Sequence, residues 1–197
     1  MAESEDIMPN HITNKIQFYG EKNDISKVLE LIKGEDEYID FNKIIPMPNN
    51  IYQGNLGIEE RKKYGKNNWY DWSIANWGTK WGAYYSRLDE KDNALYFDTA
   101  WSSPIPILDA LAKLCYQYNV SFSGMWADED RGHNVGVFES DCDDDEYWFG
   151  YEYLEDRSNE AYDVYVELKG VDSCMGKDEN GNWIAYSCDT CPNSENC

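Results

Sequence analysis

The 197-residue chain has almost no histidine, no long apolar run and, in its second half, few basic groups. Histidine occurs only as His11 and His133. No Gly-x-Ser-x-Gly, His-Glu-x-x-His, glycine-rich phosphate loop or Cys-His pairing in a catalytic context is present. The enzyme classes those motifs mark are set aside, and the chain reads as a non-enzyme. No stretch reaches the about 18 consecutive apolar residues that span a bilayer. Met1 to Asp6 is acidic and polar, without the basic and apolar regions of a secretory signal. The expected location is therefore a cytoplasm, where the six cysteines are reduced or metal-bound rather than paired.

Basic residues are scarcest after residue 100. Residues 101–197 carry five Lys and Arg against 21 Asp and Glu, while residues 1–100 carry 12 against 17, so the second half makes most of the net charge of -21. Such a field repels phosphate backbones and attracts basic surfaces. Direct nucleic-acid binding is disfavoured and a basic protein partner is favoured. The bland alternative is that the acidity serves solubility alone.

What is abundant is aromatic: 15% of residues, within a hydrophobic content of 42%. That is ample for one packed domain. Ile12, Ile16 and Phe18 predict a first strand over 11–19. A helix follows, with Asp24 as N-cap, Ile25, Val28, Leu29 and Ile32 on one face, and Gly34 at its end. Residues 38–48 read as extended, because Pro46 and Pro48 hold their predecessors out of the helical region. An insertion over 49–80 contains a charged helical stretch with Arg61, Lys62, Lys63 and Lys66, then a tryptophan-rich helix stopped by Gly78. Strands over 81–88 and 95–101 form a hairpin. Ser103 caps a helix carrying Ile107, Leu108, Leu111, Leu114 and Cys115. Two further strands start at Val120 and Val135, an aromatic strand follows the acidic run 141–146, and a last helix covers 158–169. Without the insertion and the final elements the order is β-α-β-β-α-β: an α+β, ferredoxin-like split βαβ antiparallel sheet with helices on one face. Residues 1–7 form a flexible leader, 8–170 the domain, and 171–197 a cysteine-containing extension.

Four ordered motifs carry a family likeness: Met8-Pro9-Asn10-His11-Ile12-Thr13-Asn14, Phe41-Asn42-Lys43-Ile44-Ile45-Pro46-Met47-Pro48, the Trp69 to Trp81 stretch, and Phe97-Asp98-Thr99-Ala100-Trp101-Ser102-Ser103-Pro104. With these the chain resembles the YubB-type ferredoxin-like family, encoded largely by phages, plasmids and the genomes that carry them. The resemblance implies the fold and a mobile-element origin. It implies no reaction and supplies no catalytic residues.

Three constellations remain. Glu139, Asp141, Asp143, Asp144, Asp145, Glu146 and Glu152, interleaved with Tyr147 and Trp148, imitate a row of phosphates with aromatic anchors; the plain alternative is a solvated acidic loop. Trp69, Trp72, Asn76 and Trp77 are a candidate ligand site in which rings stack on a base, or else a structural plug between insertion and sheet. Cys174, Cys188, Cys191 and Cys197 fit a structural zinc knuckle, since Cys-x-x-Cys brings two thiolates to one point; free or oxidisable thiols and disulfides are the alternatives. Asp128, Glu129, Asp130 and His133 form an acidic turn with His11 expected far from it, which argues against a catalytic metal there. Zinc is the one cofactor expected. The function expected is inhibition of a basic, nucleic-acid-binding host protein, such as a CRISPR effector or another defence nuclease, through an acidic surface. A small-ligand or nucleotide binder using the tryptophan stretch is the alternative.

Overall fold

The computed structural model describes residues 10–142, 146–171 and 174–186. The expected leader lies outside these residues. In chain order the elements are β1 (His11–Tyr19), α1 (Lys22–Ile32), α2 (Phe41–Ile44), α3 (Ile58–Tyr64), α4 (Trp69–Trp77), β2 (Tyr84–Asp89), β3 (Ala94–Ala100), α5 (Ile105–Tyr116), β4 (Ser121–Ala127), β5 (Gly136–Asp141), β6 (Trp148–Tyr153), α6 (Asn159–Lys169), β7 (Met175–Lys177) and β8 (Trp183–Ala185). No helix among the described residues is long and apolar enough to cross a membrane.

Six strands form one antiparallel sheet in the order β2-β3-β1-β4-β5-β6. Its first four positions are the ferredoxin-like arrangement, in which the β2-β3 hairpin folds back so that β3 lies beside β1, and β4 arrives on β1's other edge. β5 and β6 extend it. The period-2 pattern of β1 sets the two faces: Ile12, Asn14, Ile16 and Phe18 are buried, whereas His11, Thr13, Lys15 and Gln17 are partly exposed. The buried face joins Leu95, Phe97, Phe122 and Trp126 to Val28 and Ile32 of α1 and Leu108 and Leu111 of α5 in one core.

Asn14 is the polar exception on that face. Its amide donates to Thr99 Oγ1 at 3.0 Å and to the Ile12 carbonyl at 3.1 Å, and its oxygen accepts from Ser103 Oγ at 2.8 Å. Burial without those partners would cost about 1–3 kcal/mol. Ser103 is consequently spent on the core and does not cap α5; Pro104 occupies that position. At α1 the N-cap is Glu21, and Asp24 stands in the first turn, where its carboxylate pairs with Lys27 at 2.7 Å and meets the positive helix end. Residues 38–48 are not wholly extended either. Asp40 accepts the Asn42 N–H and starts the short α2, which seats Phe41 edge-on to Trp77 and Phe97 before Pro46 ends it.

The expectation of helices on one face holds for α1 and α5 but not for α6. Ala161, Tyr162 and Tyr165 of α6 pack with Ala127, Val135 and Met175 in a second, smaller core. Ala127 lies opposite Thr13 in the ladder, on the face turned away from α1 and α5, and Lys15 on that same face pairs with Glu167. An apolar stripe requires α6 to bury one side; the side of the sheet left free by α1 and α5 receives it. The β7-β8 hairpin, turned at Asp178 to Gly181 (φ 85°), docks on α6 through Asn159, whose oxygen accepts the Trp183 N–H at 2.8 Å.

Candidate functional site

Part of the second face is left uncovered by α6. There the ladder aligns Gln17, Ser123, Glu139 and Gly150 in one cross-strand row and Lys15, Met125, Val137 and Glu152 in the next. Together with Tyr19 and Trp148 these residues line a shallow basin of about 640 Å³. Trp148 is 51% exposed. Its ring lies over Gly150, where a Cβ would come within 2.6 Å of the indole, so glycine is what allows the ring to lie flat on the sheet. Glu139 and Glu152 are exposed and have no hydrogen-bond or ion-pair partner among the described residues. Lys15 does not neutralise them, because its ammonium is engaged by Glu167, which holds its pKa above the ordinary value against the opposing effect of partial burial. The basin thus has an aromatic floor edge and unbalanced negative charge.

The acidic constellation is divided by the pleat. Glu139, Asp141, Trp148 and Glu152 share the open face, with Asp141 opposite Trp148. Tyr147 turns the other way, packing against the main core with Lys113 of α5 5.0 Å above its ring. Glu146 is exposed. Asp143, Asp144 and Asp145 lie outside the described residues. Tyr151 and Tyr153, at 52% and 55% exposure, project from the core-side face of β6, so this edge strand presents aromatic rings on both sides. Its outer backbone edge has no neighbouring strand among the described residues.

The tryptophan stretch forms the expected helix: Asn68 accepts the Asp71 N–H at 3.0 Å, and Gly78 ends it at φ 78°. Its rings are committed internally. Trp77 is 5% exposed, donates to the Ile45 carbonyl at 2.9 Å, and stands edge-on to Phe41 and Trp72. Trp69 donates to the Gly54 carbonyl, closing the insertion on itself, and Asn76 bonds the Trp72 carbonyl.

His11 is not remote from the acidic turn. Antiparallel pairing of β1 with β4 sets the start of one beside the end of the other, so Asn10 donates to Asp128 at 2.9 Å and His11 Nε2 approaches Glu129 at 3.9 Å. Tyr84 Oη lies 2.7 Å from His11 Nδ1. Burial, followed by the nearby Asp98 and Glu129 charges, raises the Tyr84 pKa, while burial lowers that of Lys169, whose ammonium donates to the His11 carbonyl. Asp128 itself is buried and accepts from Asn10, Asn134 and the Asp130 N–H, which makes it a turn-forming residue. No group of three or more His, Cys, Asp or Glu with metal-holding geometry occurs among the described residues.

Of the zinc ligands expected, Cys174 is buried at the start of β7, and its carbonyl accepts the Tyr186 N–H at 2.8 Å. The hairpin thus brings Tyr186 back beside Cys174. Cys188, Cys191 and Cys197 lie outside the described residues.

Residues 80–172 match the family model described as the ferredoxin-like domain in Api92-like protein. The matched segment takes in β2 through α6 and thus includes the whole acidic basin side contributed by β4, β5 and β6. No curated protein and no solved structure matches the chain.

Proposed function

We propose that the protein is a non-enzymatic binding protein that docks its acidic β5-β6 face on a basic surface of a partner protein. The carrying observation is Trp148, half exposed over Gly150 and flanked by the carboxylates of Glu139 and Glu152, which have no ion-pair partner among the described residues. A large ring at the centre of a patch supplies the desolvated anchor that dominates interface energetics, and the surrounding charge sets partner choice and association rate. Lys and Arg side chains evolved to grip phosphates fit such a patch, so the partner class is a nucleic-acid-binding host protein, with defence nucleases and CRISPR effectors the foremost candidates. Inhibition by occupying the nucleic-acid channel follows from that choice. The mobile-element setting rests on the family resemblance of the four ordered motifs.

The test is affinity capture with the purified chain from bacterial cells expressing a defined defence nuclease. The expected result is stoichiometric recovery of that nuclease at low salt, loss of the complex as ionic strength rises, and displacement by its own guide or substrate nucleic acid. Recovery that is unaffected by salt and by nucleic acid would contradict the reading.

A further inference from the structure

In the acid-rich second half, basic side chains are concentrated around one groove. Of the five Lys and Arg in residues 101–197, Arg131 and Arg157 line a cavity of about 930 Å³ between the β4-β5 turn, α6 and the β7-β8 hairpin. Lys177 lies 4.5 Å above the ring of Trp183, which forms part of its wall. Tyr186 provides further aromatic surface, whereas the Tyr162 ring is buried beneath Gly132. The volume suits a small ligand rather than a protein side chain, and the groove shares no lining residue with the acidic basin.

Arg157 is held in place by its surroundings. Its backbone is left-handed at φ 60°, fixed by its N–H donating to the Gly132 carbonyl at 2.8 Å. Gly132 is itself at φ 69°, and lacks the Cβ that would strike the Tyr162 ring. The Arg157 Nε donates to His133 Nε2 at 2.9 Å. An arginine cannot accept, so His133 must present a lone pair there and carry its proton on Nδ1, which faces Asp156 Oδ2 at 2.9 Å. This chain of Asp156, His133 and Arg157 orients the guanidinium through its Nε and leaves its two terminal nitrogens without a partner among the described residues. Glu129 and Asp130 also line the groove, Glu129 turned toward His11 and Asp130 toward Asn10, and Asp163 accepts the Trp183 indole N–H.

We propose that this groove binds a small anion bearing a planar ring, of the nucleoside monophosphate class, with the phosphate gripped by the terminal nitrogens of Arg157 and the base laid against Trp183 and Tyr186. A pre-oriented guanidinium suits bidentate oxyanion recognition, and an indole or phenol face accepts any base.

The test is isothermal titration of the full chain with the four common 5′-nucleoside monophosphates at low ionic strength, beside the matching nucleosides. Saturable one-to-one binding of at least one monophosphate is expected, with the nucleoside about tenfold weaker or worse. Arg157→Gln should weaken the monophosphate by about tenfold or more. Arg157→Lys, which keeps the charge but loses the fork and the Nε donor, should also weaken it. Arg157 is exposed, so an unchanged circular dichroism spectrum is expected for both variants. No saturable binding by the parent up to millimolar ligand, or parent-like affinity in either variant, would overturn the proposal.

Discussion

Two aromatic segments of similar composition, residues 69–81 and 147–153, meet opposite fates. In the first, Trp77 is sealed between α2 and Trp72, Trp69 is tied to Gly54, and Lys80 sits between the rings of Trp81 and Trp101 at 4.5 and 4.7 Å. In the second, Trp148, Tyr151 and Tyr153 each keep about half their surface in solvent. The first segment has spent its rings on holding a long insertion to the sheet. The second has kept them available. Aromatic density alone does not separate a core from an interface; how much of each ring stays in solvent does.

The comparison breaks first at Trp77. Trp77→Ala removes a buried indole and leaves the Ile45 carbonyl without its donor, so a loss of about 3–5 kcal/mol is expected in urea denaturation. A loss below about 1 kcal/mol would show that the insertion is not anchored through this ring. A smaller effect, with a pH signature, is expected on the core side of the sheet at Cys115. Burial, with a lesser contribution from Cys142, raises its thiol pKa above the ordinary 9.0. The unfolded chain then ionises this thiol above pH 9 while the folded chain keeps the proton, so the native state binds more protons and stability falls as pH rises beyond that point. Cys115→Ala should be less stable than the parent near pH 7, and the gap between the two should narrow from pH 9 upward in parallel denaturation curves.

Much of the fold is legible from pattern. Alternation in β1 and the apolar stripes of α1 and α5 give the split βαβ order, and Gly78 and Gly170 mark the helix ends they occupy. The stripe of α6 was equally visible, but a stripe states that one side is buried and not which sheet face receives it; that depends on α1 and α5 having already taken the other. The short α2 is masked by the extended signal of Pro46 and Pro48, although Asp40 before Phe41 is an N-cap signal. In the acidic constellation, strict alternation from Trp148 would have placed Tyr147 on the opposite side from Glu139 and Glu152. The neighbourhood of His11 and Glu129 follows from pairing β1 antiparallel to β4, which the split βαβ order requires. The groove at Arg157 is not legible in the sequence, because it depends on two left-handed residues, Gly132 and Arg157, and on a hairpin docked through Asn159, none of which has a periodic signature.

The sharpest contrast between the segments is a separation of stability from binding at Trp148. The measurement is the equilibrium affinity of Trp148→Ala for the nuclease recovered by the parent chain, taken beside its urea midpoint. A half-exposed ring lying over glycine contributes little to folding, so stability should stay within about 0.5 kcal/mol of the parent. As the anchor of the patch its removal should weaken the complex by about 2 kcal/mol, close to 30-fold. Parent-like affinity in a variant that folds normally would contradict the assignment of the β5-β6 face as the docking surface.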